Sequence, residues 1–308
     1  MARLLETWIS QERMERFMYY FQMLLNGLSL GAIYAIIALG FTLIYSILKF
    51  SNFSHGGIMV VCAYFAYVIQ RRYNLNFGMM MLITAAFGAV LACIVQYIGF
   101  ENLRAKRSNI MLFFVSSSTL GILLQNIIVI TFSSTYYAYP AFFTPPFIDV
   151  NGFTFSVSDM IMLGISAVVI LGLMFLLYRT RLGIAIRALS MDGDTVKLMG
   201  INVSVVVALT FMVSGALAAV AGIFCGVNYI LYPQLNQLVF KGMIASILGG
   251  LGNISGALYG GIMLGVLEVC FNNAFGAGLV PVFSFVFSMI FLLVRPQGIA
   301  GKYVLDKV

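Results

Sequence analysis

The chain has 308 residues, of which 62% are hydrophobic and 9% charged, with a formal net charge of +7 and a mean hydropathy of +1.03. Apolar stretches near the length of a bilayer crossing recur from end to end, which excludes a soluble fold; strand-length segments of alternating polarity are absent, which excludes a membrane barrel. The expected class is an all-α integral membrane protein, and the positive charge, lying in short loops between apolar runs, reports topology rather than nucleic-acid binding.

The leading segment 1–19 mixes acids with bases and lacks a cleavage site, so it does not read as a signal peptide. Leu4, Leu5, Trp8, Ile9 and Met14 set against Arg3, Glu6, Glu12, Arg13 and Arg16 suit an amphipathic helix lying on membrane lipid, with a frayed end as the alternative. The membrane-spanning body is expected over 20–300, with full-length spans at 20–48, 79–99, 110–132, 159–178, 204–226, 254–272 and 279–294. The stretches 55–69 and 239–251 would reach only about 20 Å as helices, against a hydrocarbon core of ~30 Å, which predicts partial helices completed by non-helical chain.

Bases at Arg104, Lys106 and Arg107, at Arg179, Arg181, Arg187 and Lys197, and at Arg295, Lys302 and Lys307 place three connections inside, the last in the tail 301–308. The 133–158 loop holds no Lys or Arg and is expected outside, where a cysteine at Asn151 would react with an impermeant reagent. Counting crossings between these loops makes both short stretches crossings, for eight to nine spans and an outside N-terminus, with Arg71 and Arg72 outside against the usual bias. The halves 20–132 and 204–294 share a pattern of long, interrupted, long and long spans. The single connecting helix 159–178 gives them opposite orientation, an inverted repeat. Cys62, Cys93, Cys225 and Cys270 all fall in apolar segments without paired spacing, so neither a disulfide nor a metal site is expected.

Four stretches carry candidate chemistry. In Asn52, Phe53, Ser54, His55, Gly56 and Gly57 a helix starts inside an apolar region: capping alone accounts for the polar residues, whereas a helix N-terminus facing a pathway would offer N–H groups to a carboxylate. On that second reading Gly56→Leu impairs uptake more than assembly. In the segment from Phe240 to Gly252 the glycines suit small-residue helix packing, with Gly249, Gly250 and Gly252 as further pathway candidates. Glu268, an acid deep in an apolar span, is either a functional group or a hydrogen-bonded structural one. The loop 179–203 is too apolar for a solvated connector, with Ile184, Ile186, Leu189, Val196, Leu198 and Met199; one short amphipathic helix, turning at Gly193 and stopping at Gly200, would dock into a partner's groove.

The order NGLSLGAIYAIIALGFTLIY, NFSHG, RTRLGIAIRA, MGIN, SILGGLGNISGALYGGIMLGVLE and RPQGI, from about residue 20 to 300, resembles the permease subunits of branched-chain amino acid ABC importers, and among them the shorter permease. That resemblance implies a helical importer-permease fold in an inner membrane. It also implies heterodimerisation with a second permease, two cytoplasmic ATPases and an extracytoplasmic solute-binding protein. It assigns ATPase coupling to Arg187, Asp192, Asp194, Gly200 and Ile201, although Ser190, Met191, Thr195 and Val196 depart from what relatives commonly carry. No GxxxxGK[ST] occurs, so ATP is expected on partner subunits, with no cofactor in this chain. Related permeases move urea or short amides, so cargo stays open. Two other classes compete: an ion-coupled secondary transporter, for which Glu268 and His55 are a thin set of coupling groups, and an intramembrane hydrolase, in which His55→Ala would abolish turnover of a covalent probe.

Overall fold

The structure, a computed structural model, describes residues 2–106, 108–140, 142–143, 145–150 and 153–301. Asn151, Arg107, residues 302–308 and the side chains of 1–15 and Asp194 therefore fall outside the described residues. The amphipathic face expected of the leading segment, the labelling position, most of the tail and one coupling candidate are among them.

Helix α1 (Ala2–Leu48) is continuous over 47 residues, about 70 Å at ~1.5 Å per residue, so the segment 1–19 runs unbroken into the first span. Among the described residues, six helices are long and apolar enough to cross a membrane: Arg16–Leu48 of α1, Phe77–Ala105, Ile110–Phe132, Val157–Arg179, Val203–Tyr229 and Ile254–Phe275. A seventh, α12 (Val280–Val294), is shorter. Burial separates centre from rim: 89% of the apolar window of α1 is enclosed by protein, against 22% in α5 (Ile110–Phe132) and 28% in α6 (Val157–Arg179). An exposed Leu or Ile on those outer helices meets lipid, so it needs no protein cover.

Small residues set the central packing. Helix α11 (Ile254–Phe275) runs antiparallel to α1, and a Cβ on Gly31 would lie 2.8 Å from the Ile262 Cα. Helix α3 (Phe77–Gln96) meets α9 (Val203–Tyr229) in the same way, Gly88 against Gly215 and Ala219. Counting the interrupted helix, the third helix of each half thus packs closely on the first of the other, because only small side chains let two backbones approach so far. A π-helical turn (Tyr97–Glu101) and α4 (Asn102–Ala105) extend α3 to the basic end of the bundle.

Each half contains one interrupted helix. After α1 ends at Leu48, Lys49 takes φ 55° and residues 49–53 are not helical. Over those residues the chain climbs α5. Phe50 packs on Phe113 near its start, with ring centroids 5.2 Å apart, while the Phe53 carbonyl abuts Gly121 at its middle. Helix α2 (Ser54–Tyr73) therefore begins halfway through the bundle. It has 20 residues, about 30 Å, which corrects the expectation of a short helix over 55–69. Hydropathy falls at Gln70, Arg71 and Arg72, but the backbone stays helical until Asn74 enters the left-handed region at φ 45°.

In the second half α9 ends at Tyr229, residue Leu231 bridges to Tyr137, and a 3-10 turn (Pro233–Gln237) leads into α10 (Leu238–Gly249). Twelve residues make about 18 Å, so here the expected partial helix is what the chain forms. The two interrupted helices begin against each other, with Gly56 facing the Asn236 carbonyl and Val239. The last carbonyls of α10 are satisfied by the RPQGI segment and the residue after it: Ile299 N–H donates to the Leu248 carbonyl at 2.8 Å and Ala300 N–H to that of Gly249 at 3.0 Å. Between α5 and α6 a hairpin of β1 (Phe147–Val150) and β2 (Phe153–Ser156) lies at the end of the bundle opposite Arg104, Arg179 and Arg295, where Gln22 donates to the Thr154 carbonyl.

Candidate translocation site

The two interrupted helices present different faces. Asn52, Ser54, His55, Gly56 and Gly57 are all buried, and Ser54 and His55 have no exposed surface. Asn52 Oδ1 accepts from the Ser54 N–H at 3.1 Å and from its hydroxyl at 2.6 Å, a hydrogen-bonded turn just ahead of α2, whose N-cap position is Phe53 and has no side-chain cap. His55 Nδ1 lies 3.2 Å from Ser214 Oγ, which itself donates to the Gly40 carbonyl at 2.8 Å; His55 Nε2 is buried without a partner among the described residues. The ring fills the space a side chain on Gly40 would take. In this conformation the helix N-terminus is enclosed by Gly40, Ser214, Gly121 and Asn236.

Helix α10 is open along one side. Phe240 is 43% exposed and its ring lies 5.8 Å from that of Phe53, which in turn packs edge-on to Phe114 of α5. Lys241, Ile244 and Ile247 continue the partly exposed stripe at helical spacing toward the basic end. There the stripe opens into a cavity of about 690 Å³ lined by Ile247, Gly250, Leu251, Arg187, Met191 and Gln297. Gly250 and Gly252, with φ of 107° and 81°, form the turn into α11, while Gly249 abuts the Gly256 backbone and has no open face.

Glu268 has a partner that sequence reasoning missed. Its Oε2 accepts from Lys241 Nζ at 2.8 Å and from the Tyr34 hydroxyl at 2.7 Å, and Lys241 Nζ also donates to the Tyr34 oxygen at 2.9 Å. The Tyr229 hydroxyl lies 3.2 Å from that of Tyr34, so α1, α9, α10 and α11 converge on one charged cluster. Glu268 is 3% exposed and the Lys241 side chain 26%, so the pair is enclosed at its acid end and open at its basic end. Glu268 Oε1 is buried without a partner among the described residues. Spacing alone offered no signal for this pair, since 27 residues and a turn separate Lys241 from Glu268.

At the basic end the expected single amphipathic helix is two: α7 (Arg181–Met191) and α8 (Gly193–Leu198), split at Asp192. The split follows from local chemistry, because Asp192 accepts from the Thr195 N–H at 3.4 Å and from its hydroxyl, capping α8. Gly200, at φ 79°, ends α8, and Ile201 turns back against the bundle. The apolar side chains divide as well: Ile186, Leu189 and Val196 are buried under the bundle, whereas Met191, Leu198 and Met199 are 88%, 89% and 75% exposed. Arg187 lies over the Tyr178 ring, 5.1 Å from its centroid.

Residues 23–295 match the family model described as branched-chain amino acid transport system / permease component. The class is therefore a membrane permease, and the chain belongs to that family. It is 32% identical to the high-affinity branched-chain amino acid transport system permease protein BraD of Pseudomonas aeruginosa, over 94% of this chain and 98% of that protein. It is 31% identical to the permease protein LivH of the same-named system in Escherichia coli strain K12, over 96% of this chain and 99% of the relative. A probable LivH of Methanocaldococcus jannaschii is 27% identical over 86% and 88%. Among solved structures, PsaBC from Streptococcus pneumoniae in complex with Fab covers 88% of this chain and 91% of its own at 14% identity, with a TM-score of 0.49.

Proposed function

We propose that this chain is the shorter permease of an ABC importer for branched-chain amino acids in the inner membrane. It pairs with a second permease to enclose the pathway, and two ATPases on the cytoplasmic side supply the energy. The chain itself is non-catalytic, holds no cofactor and leaves ATP to its partners. The basic end, with Arg104, Lys106, Arg179, Arg181 and Arg295, is then cytoplasmic and the hairpin end faces the solute-binding protein, with nine crossings if the two interrupted helices are counted.

The observation that carries this reading is the half-exposed face of α10, from Phe240 through Ile244 to the cavity beside α7. An apolar helix face that ends in a cavity lined by Met191, beside a helix pair that also exposes Leu198 and Met199, joins a route for aliphatic side chains to a surface suited to a motor subunit. Reconstitution with the second permease, the ATPases and the binding protein tests it. ATP-dependent uptake of leucine is expected; uptake of urea in its place, or leucine uptake that persists without ATPases and follows an ion gradient, would overturn it.

A further inference from the structure

The cluster around Lys241 has a composition that packing alone does not require. Its ammonium carries three N–H donors, and two are used, on Glu268 Oε2 and the Tyr34 hydroxyl. The third has no partner among the described residues, and the Lys241 side chain is 26% exposed on the same face as Phe240 and Ile244. Behind it, Glu268 is 3% exposed, hydrogen-bonded through one oxygen and orphaned at the other. A carboxylate buried that deeply fixes a cation in place and neutralises it at rest. Among the described residues no comparable group stands at the other interrupted helix, whose polar first turn is buried.

We propose that Lys241 is the contact for the carboxylate of a zwitterionic α-amino acid passing along α10, with Glu268 and Tyr34 as positioning residues. The cargo's side chain lies on the apolar stripe of Phe240 and Ile244. Its carboxylate accepts from the free Lys241 N–H and competes with Glu268 for the ammonium. Neutral urea or a short amide brings no charge to exchange, so the site favours amino acids over those cargoes. This inference rests on the reading of the chain as an amino-acid permease.

The test uses the assembled transporter without its binding protein, with the native cysteines replaced and Ile244→Cys as reporter of occupancy. Leucine and 4-methylpentanoate, which share a carboxylate, are expected to slow thiol labelling by about tenfold, while leucinol, which lacks it, does not. Lys241→Met and the exchanged pair Lys241→Glu with Glu268→Lys should lose that protection, and Lys241→Arg should keep it. The exchanged pair preserves opposite charges, so a purely structural role predicts that it behaves as the parent. Equal protection by leucinol, protection surviving Lys241→Met, or no protection by any of the three in the parent overturns the proposal. Leucine uptake by the parent transporter, measured in parallel, separates the two failures: uptake without a role for Lys241 removes only this inference, whereas no ATP-driven leucine uptake removes the function as well.

Discussion

Helices α2 and α10 both begin inside the bundle, yet one is closed and the other half open. The start of α2 is held by Asn52, Ser214 and the Gly121 and Asn236 backbones, and Ser54 and His55 have no exposed surface. Phe240, early in α10, is 43% exposed and stands beside a charged residue that still has a donor to spare. Two helices that both start inside the bundle thus need not serve the same purpose, since one anchors the fold at its centre and the other offers a face.

Four substitutions sharpen that contrast. The largest effect belongs to Lys241→Met, which leaves Glu268 buried without its counter-ion; removing one member of a buried pair costs about 3–5 kcal/mol, read as a lower thermal midpoint of the purified complex. Lys241→Met combined with Glu268→Leu should recover most of it, and no recovery would mean that the cluster holds the fold in another way. Next comes Gly56→Leu, whose side chain would start 2.9 Å from the Asn236 carbonyl. Overpacking of this kind costs about 1–3 kcal/mol, so assembly should fall together with uptake, contrary to the expectation from sequence that uptake would suffer more; normal assembly with lost uptake would reopen α2 as a pathway element.

Asp192→Lys removes the cap of α8 and should cost about 0.5–2 kcal/mol locally, seen as faster amide exchange over Gly193–Leu198 along with weaker ATPase co-purification. Unchanged exchange there would show that the cap is dispensable. The smallest effect is expected for Phe240→Ala: the Phe53–Phe240 ring contact is worth about 0.5–1.5 kcal/mol and one ring faces outward, so stability should barely change while uptake falls. A stability loss matching that of Gly56→Leu would mean that Phe240 is a core residue.

Much of this architecture is legible in the residues because bilayer physics restricts the choices. Long apolar runs form helices, and the polar interruption at 49–53 and the turn chemistry at Pro233 mark the two breaks. The length of α2 is not legible, since hydropathy measures transfer to lipid, whereas Arg71, Arg72 and Tyr73 stay helical as an exposed last turn beyond the apolar run. Lys241 gives no signal because a base near the start of an apolar run reads as a span boundary; only the packing of α10 on α11 brings it to Glu268. The division of the 179–203 loop into two helices is written in Asp192 and Thr195, a capping pair whose polar side chains also suit a docking surface.

The most direct measurement is state-dependent thiol accessibility in the assembled, cycling transporter, comparing Phe240→Cys and Ile244→Cys on α10 with Ser54→Cys on α2. The account predicts that the α10 positions react at rates that change with ATP while Ser54→Cys stays protected throughout. Reaction at Ser54→Cys during turnover, with inert positions on α10, would contradict it.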